Sequence, residues 1–454
     1  MSLKSPVDQV PPVPRLLLLG IQHLAIMYSG AVTVPLIVGP AVGLSASDIA
    51  ILVSADLFVA GIASVIQSAG ISKIFGVRLP VVAGATFTTV NPMIIIATQY
   101  GGRSGLPVVY GAMLVAGVFG LLIAKPFSMI IRFFPPLVTG TVITIIGLSL
   151  IGDDVSMIAG SDSTATSYGE ISHIGLAALV VVIVVLLTRF TRGFLSQVAV
   201  LIAIVAGTLV AWPMHLDDFS SVGSSAWFGI APPFHFGPPK FQAAAIISMC
   251  IVVIVTYTES TADMLAVAEM TETELSPGDL ARGLATDGLS ALLAGFFNSF
   301  PDTAFAQNVG LVGMTRVRSR WVVTVCGGLL VILGLIPKVG AVIANLPGPV
   351  IGGAATVMFA MVTAVGIRTL HKAEFGGSKS HNLLIVAVSL AIGLIPTMAP
   401  DFYEKFPKDF QIIFGSSITS TVIVVFTLNL LFNHWTGGWP RRPDAVRETV
   451  SAAD

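Results

Sequence analysis

Charge is what this sequence has least of. Only 10% of its 454 residues are Asp, Glu, Lys or Arg, while 54% are hydrophobic. A soluble domain carries roughly 25% charged residues because its surface must meet water. A chain this poor in charge cannot cover such a surface, so soluble fold classes are excluded and most of the exterior must face lipid. Net charge is missing too: 23 basic and 24 acidic side chains leave −1, so no basic field points to a nucleic-acid partner. Cysteine is nearly absent, and Cys250 and Cys326, each inside an apolar run, read as buried free thiols rather than a disulfide or metal pair. No zinc-ligand cluster, nucleotide-binding loop or nucleophile–base pair is apparent, so the chain does not read as an enzyme and no cofactor is expected. Nor is a cleavable leader: residues 1–14 are polar and Pro-rich, and the apolar run after them outlasts a signal peptide.

What is present is a succession of long apolar runs. A membrane span needs roughly 20 mostly apolar residues. Clear stretches cover about 15–39, 47–70, 107–124, 136–152, 173–189, 194–212, 242–265, 321–337, 348–367, 382–398 and 410–433. Three weaker ones, interrupted by small and polar residues, cover about 80–99, 281–299 and 302–315. The expectation is an all-α polytopic membrane protein of fourteen spans. Basic residues favour the cytoplasmic side. With the N-terminus inside, only Arg103, Lys240, Lys338, Lys405 and Lys408 fall outside. The inner segments hold the rest, from Lys4, Arg15, Lys73 and Arg132 through Arg316, Arg318 and Arg320 to Arg441, Arg442 and Arg447. Both termini are therefore expected in the cytoplasm, and residues 213–241 as an interfacial outer loop.

Fourteen spans divide into seven plus seven, an inverted repeat. The third span begins like a strand and carries Gly84, Asn91 and Pro92; the tenth, from Phe300 to Gly310, is likewise polar and Pro-led. Transporter sites lie where such discontinuous segments meet. Extended backbone at membrane depth survives only where protein or a water-filled cavity satisfies it. Short strands in spans three and ten are therefore expected to pair partly with each other.

Ionisable groups inside spans are functional candidates, because each costs about 2.5–3.5 kcal/mol at the bilayer centre on insertion scales. Glu259 and Asp263, four residues apart, share one helix face. Asp287 lies early in the ninth span. These three are the candidates for carrying a proton. Asp56 and Asp302 read as structural acids nearer the outer surface, and His23, after Gln22, as a hydrogen-bonded core histidine.

The run Gln307-Asn308-Val309-Gly310-Leu311-Val312-Gly313-Met314-Thr315-Arg316 resembles the signature of the nucleobase–ascorbate transporter family, also called nucleobase:cation symporter 2. That pattern is Gln, Glu or Pro, then Asn, any residue, Gly, four variable residues, Thr, and Arg, Lys or Gly. Gln22-His23, Glu259 with Asp263, and Asp287 support the resemblance along the whole chain. It implies a core of spans one to four (15–124) and eight to eleven (242–337). The gate would be spans five to seven (125–212) and twelve to fourteen (348–433). It also implies a homodimer in the bacterial inner membrane, and an elevator-like import of a base with protons.

The substrate would sit between spans three, eight and ten. There Glu259 would accept from ring N–H groups and the Gln307 amide would read an adjacent C=O and N–H pair. Phe87 would stack on the base, and the backbones of Phe305 and Ala306 would add donors and acceptors. Asp287, Asp263, His23 and Asn308 would form the proton-coupling network, with Thr315 and Arg316 tuning specificity. Gln at 307 resembles xanthine and urate carriers, where uracil carriers have Glu. Arg316 resembles the fungal urate–xanthine pattern, while Val309 departs from the second Asn of xanthine carriers. A pyrimidine carrier of the same family, or an inorganic-anion transporter of the same fold, is the alternative.

Overall fold

The computed structural model describes residues 5–130, 134–160, 165–214, 216, 219 and 222–435. Lys4, Arg132, Arg441, Arg442 and Arg447 of the charge argument lie outside the described residues. The first half runs α1 (Val13–Ala31), α2 (Thr33–Ala41), α3 (Ala46–Ala69), β1 (Ala83–Ala85), α4 (Val90–Gln99), α5 (Leu106–Ile130), α6 (Pro136–Ala159), α7 (Ile171–Phe190), α8 (Phe194–Gln197) and α9 (Ala199–Ala211). The second runs α10 (Ala243–Thr271), α11 (Pro277–Phe297), β2 (Asp302–Ala304), α12 (Ala306–Thr315), α13 (Arg320–Gly334), α14 (Pro337–Ala344), α15 (Gly348–Leu370), α16 (Asn382–Met398), α17 (Lys408–Phe414) and α18 (Ser417–Asn429).

Local chemistry sets the helix ends. Ser45 caps α3 by accepting from the Asp48 N–H, and Gly70 ends it at φ 74°. Ser276 and Asp279 form a capping box on α11, with Pro277 in its first turn. That helix closes on Asn298 in the left-handed region, as α12 closes on Arg316.

All fourteen apolar stretches carry helix, but fewer helices can cross a membrane on length and composition alone. Among the described residues eight qualify, or nine if α13 and α14, bent by 81° at their break, count as one span. The other five fall short for identifiable reasons. Strand consumes part of the third and tenth stretches, leaving α4 and α12 only 10 residues each. Helices α9 and α16 stop at 13 and 17 residues. Helix α11 is long enough at 21 residues but carries Asp279, Arg282 and Asp287.

The helices pack in two groups. In one, α3, α5, α10, α11, α13 and α14 pack together; in the other, α6, α7, α9, α15, α16 and α18 do. Contacts within each group are backbone-close. A Cβ on Gly61 of α3 would lie 2.7 Å from the Gly327 carbonyl oxygen of α13, and one on Gly147 of α6 would lie 2.5 Å from that of Phe359 on α15. Small residues allow this approach, and dispersion then holds helices together where lipid provides no hydrophobic drive. The lipid-facing character is plain on α7, where Ile171, Val182, Val185 and Phe190 are exposed.

The segment between α9 and α10 has no α-helix or strand among its described residues and is tied to the first group. Asn298 Nδ2 donates to the Pro232 carbonyl (2.9 Å), and the Lys240 N–H donates to that of Pro107 (2.8 Å). His235 Nε2 lies 2.9 Å from Asp48, which also holds Arg103 at 3.0 Å.

Candidate functional site at the paired strands

Strands β1 and β2 pair antiparallel, with Ala83 opposite Ala304 and Ala85 opposite Asp302. The Phe305 N–H donates to the Val82 carbonyl (2.9 Å) and the Thr86 N–H to that of Pro301 (3.0 Å), extending the ladder at both ends. A two-stranded sheet inside a protein leaves two outer edges to satisfy. One serine from each flanking helix does so. Ser64 of α3 accepts from the Ala83 N–H (2.9 Å) and donates to the Ala83 carbonyl (3.1 Å). Ser260 of α10 accepts from the Ala304 N–H (2.9 Å) and lies 2.7 Å from the Thr303 hydroxyl.

Each strand feeds a helix N-terminus beside α10. After β1, Thr86 accepts from the Thr88 N–H and a short 3-10 turn, Phe87–Thr89, leads into α4. After β2, Phe305 begins α12. Glu259, half-buried on α10, faces this junction. Its Oε1 accepts from the Thr88 hydroxyl at 2.9 Å and its Oε2 from the Thr86 hydroxyl at 3.2 Å. Glu259 also lines a narrow cleft with Val138, Thr139 and Val142 of α6 and Val422 of α18. It therefore stands at a boundary between the two helix groups.

The other expected site residues divide into those near this junction and those elsewhere. Phe87 is buried and meets Phe359 of α15 edge-on (5.5 Å, 89°). Gln307 is half-buried and Ala306 exposed at the start of α12, where the first N–H groups lack intrahelical partners. Phe305 needs correcting as a backbone donor: its N–H is held by Val82, and its carbonyl accepts from Asn308 and Val309 (2.9 and 3.3 Å). Its ring fills the space over Gly84 and Gly30. Asn308 Nδ2 donates to the His23 carbonyl (2.9 Å) and lies 3.0 Å from His23 Nδ1, so that pair locks α12 to α1.

Asp287 is buried on α11, where its Oδ1 accepts from Gln67 Nε2 at 3.4 Å. Asp263, half-buried, lies one turn beyond Glu259 on α10. Thr315 bonds its own helix at Leu311 (2.8 Å). Arg316 is exposed at the C-terminus of α12, nine residues after Gln307 and so roughly 13 Å along the axis. The structure does not bring Arg316 to Glu259. Asp56 and Asp302 are buried in the protein at 0% and 1% exposure, and Asp302 Oδ2 accepts from the Ser290 hydroxyl at 2.5 Å. Sequence reasoning also missed Thr86, Thr88, Ser64, Ser260 and Gln67. The one available signal was the pair of hydroxyls on either side of Phe87 in an interrupted span.

A family model, Xan_ur_permease, described as a permease family, matches residues 14–402. The chain belongs to this family, the nucleobase–ascorbate transporters. As a member it is a multi-pass membrane transporter. It is 41% identical over 448 residues to the "Uric acid transporter UacT" of Escherichia coli strain K12, covering 99% of this chain and 91% of that protein. It is 42% identical over 419 residues to a "Xanthine permease" of Bacillus subtilis strain 168, covering 92% and 94%. Among solved structures it resembles "The transmembrane domain of a cyanobacterium bicarbonate transporter BicA", with TM-score 0.58 at 13% identity over 92% of this chain and 96% of that one. It also resembles the murine anion transporter Slc26a9 in its inward-facing state, with TM-score 0.63 at 14% identity over 93% and 69%. At these identities the two structures establish the fold alone.

Proposed function

We propose that this permease imports an oxidised purine base, xanthine or urate, together with protons across the inner membrane of a bacterium. The observation that carries this reading is Glu259, whose carboxylate is held by two hydroxyls on a residue that lines the cleft between the helix groups. An ionised carboxylate is acceptor-only and suits ring N–H donors, while the Gln307 amide offers both donor and acceptor. Buried polar readout of this kind rejects a base that leaves its partners unpaired by large factors. Phe87 packs the face of the ring, and the N–H groups of Ala306 and Gln307 reach its carbonyls. The urate and xanthine specificity of the relatives named above supports the choice of base.

In this reading the first helix group is the core and the second the gate. The fourteen stretches act as fourteen spans in a seven-plus-seven inverted repeat, with both termini cytoplasmic. The core slides against the gate as an elevator within a homodimer. Asp287 takes up the coupling proton, Asp263 lies on its route, and the His23–Asn308 pair keeps α12 in place. Coupling is mutual, so a proton that tightens the base is itself tightened by it.

The test is ligand-induced stabilisation of the purified protein, since a ligand that binds only the folded state raises its melting temperature. Xanthine or urate is expected to stabilise it, and Glu259→Gln to abolish that shift. Stabilisation by uracil alone would replace the substrate. Stabilisation by sulfate or bicarbonate alone would favour an anion carrier, against which the acidic site now stands. For the proton, base affinity in Asp287→Asn should lose the pH dependence of the wild type. An unchanged dependence would remove Asp287 from the coupling.

A further inference from the structure

Two interior acids take no part in the transport proposed above. Asp56, on α3, has no exposed surface, and neither of its carboxyl oxygens has a hydrogen-bond donor. Asp302 opens β2 and is equally enclosed. Its Oδ2 accepts from the Ser290 hydroxyl at 2.5 Å and its N–H donates to the same Ser290 oxygen at 3.0 Å, while Oδ1 is left without a donor. The two carboxyls are close enough that the charge of Asp302 acts on Asp56. Ser299, fully buried just ahead of β2, also stands beside Asp56, and its hydroxyl makes no hydrogen bond of normal geometry.

The surroundings supply no positive charge. Among the described residues no ion pair reaches either acid. The basic groups on the packed helices are held elsewhere. Arg320 of α13 is held by Asp8 and the Ser68 and Ala69 carbonyls, Arg282 of α11 by Asp279 and the Gly76 carbonyl, and Lys338 of α14 lies over the Trp227 ring. The titratable groups that do face the pair are another acid and a phenol. Asp287 of α11 feels the charge of Asp302, and Tyr257 of α10 feels that of Asp287. Glu259 and Asp263 lie further along α10, where Glu259 is turned to Thr86 and Thr88.

An ionised carboxylate without donor or counter-charge is costly in a dry interior, and two side by side add repulsion. One proton removes both costs: Asp56 then donates to the open Oδ1 of Asp302, whose other oxygen already has Ser290. We propose that Asp56 and Asp302 bind a resident proton, shared between their carboxyls, whose hydrogen bond fastens β2 to α3. Helix α3 then holds both strands, β1 through Ser64 at Ala83 and β2 through Asp56. Because Asp302 precedes Gln307 by five residues, the same proton steadies the start of α12. It is distinct from the coupling proton assigned to Asp287. Neither Asp56 nor Asp302 lines the cleft between the helix groups, so sliding of one group past the other leaves the pair enclosed and the proton in place.

The experiment is infrared spectroscopy of the purified protein in lipid above neutral pH, where a protonated carboxyl shows a C=O stretch that an ionised one lacks. Wild type is compared with Asp56→Asn, Asp302→Asn and the double variant. Asparagine keeps the shape, and in either single variant its NH2 takes over as donor to the remaining carboxylate. Each single variant should lose one and the same band, and the double variant no more than either. Carbon-13 aspartate should shift that band in the wild type, a reading that needs no variant to fold. Thermal unfolding against pH is the second readout. Unfolded aspartates ionise near their ordinary value of about 3.9, so above it the folded pair holds a proton that the unfolded chain does not. Stability should therefore fall with rising pH, by about tenfold in the unfolding equilibrium per pH unit while the pair keeps its proton. Either single variant should lose that part of the slope.

Loss of two bands in the double variant would mean two separately protonated acids, and loss of none an ionised pair; either result overturns the inference. So would a band that labelled aspartate does not shift. An ionised pair stabilised by sodium ions would hold a metal cation instead. Base uptake in Asp56→Asn should keep the wild-type proton-to-base ratio; a lowered ratio would make this proton a transported one and overturn its residence.

Discussion

The two interrupted segments pair as strands, yet they are built in opposite ways. The segment from β1 into α4 is closed: Thr86, Thr88, Thr89 and Asn91 are all buried. It is also bonded across to the second helix group. Asn91 Oδ1 accepts from the Ser417 N–H of α18 at 3.1 Å, while Gln99 Nε2 donates to Gln411 Oε1 of α17 at 2.8 Å. The segment from β2 into α12 is open: Ala306 and Gly310 are exposed and Gln307 is half so. Its side-chain hydrogen bonds run to α1 through Asn308 and His23, to α10 through Thr303 and Ser260 and to α11 through Asp302 and Ser290, and its link towards α8 is an apolar cluster of Ile26, Val198 and Leu311. Directional bonds must break before two bodies slide, whereas apolar contacts can be exchanged for others. The first segment is therefore a frame that also bonds Glu259, and the second is the exposed one, with Gln307 proposed above to read the base.

The largest effect that could break this contrast is Glu259→Ala. It removes the group on which the frame acts, so xanthine or urate uptake should fall roughly a hundredfold or more, read as kcat/KM in proteoliposomes. Retained uptake would mean that the open segment reads the base alone. Next comes Gly84→Val in the frame, where a Cβ would lie 3.0 Å from the Phe305 ring and 3.1 Å from Met27. Overpacking there should cost about 1–3 kcal/mol of stability, seen as a lowered melting temperature without ligand.

Gln99→Ala removes the tie between α4 and α17 and should cost the arrangement seen here about 0.5–1.5 kcal/mol. A cysteine placed at Ile95, which lines the pocket beside Gln99, should then be labelled faster by an impermeant thiol reagent. Gly310→Ala in the open segment meets nothing nearer than Gln197 at 3.8 Å. It should gain about 0.5–1 kcal/mol as a helix-interior replacement. A loss of stability at that position would erase the distinction between the closed and open segments.

The smallest effect concerns the loop after α12, where Arg318 donates to Glu272 at 2.8 and 2.5 Å and holds that carboxyl below its ordinary value. A depressed folded value adds stability above the unfolded value of about 4.3 and loses it as the pH falls through the folded one. Both groups are solvent-accessible, so salt screens the pair. Arg318→Gln should therefore lower the melting temperature only slightly at pH 7, and not at all near pH 3.

Much of this was readable from residue order. Charge scarcity and the apolar runs place the chain in a membrane. The Gln307–Arg316 run with Glu259 and Asp287 points to the family, and the Pro- and Gly-marked segments Pro80–Pro92 and Phe300–Gly310 are where the strands occur. The bonds of Thr86 and Thr88 to Glu259 were not readable, because periodicity reports one element's faces and not which distant side chain completes its hydrogen bonds. For the same reason Ser64 and Ser260, the partners of the sheet edges, look like ordinary polar interruptions of their helices. Arg316, expected from the resemblance to tune specificity, stands nine residues beyond Gln307 at the exposed C-terminus of α12.

The strand pairing also has a consequence for how the chain is made. Ala85 and its partner Asp302 are 302 − 85 = 217 residues apart, so a ribosome adding 5–20 residues per second needs on the order of 10–40 s to deliver the second after the first. Throughout that interval one backbone edge of β1 has no strand to bind, in surroundings where an unsatisfied peptide group is costly. The first half must therefore wait, sheltered by water, lipid headgroups or the insertion machinery, and the transport site closes only after both halves have been synthesised.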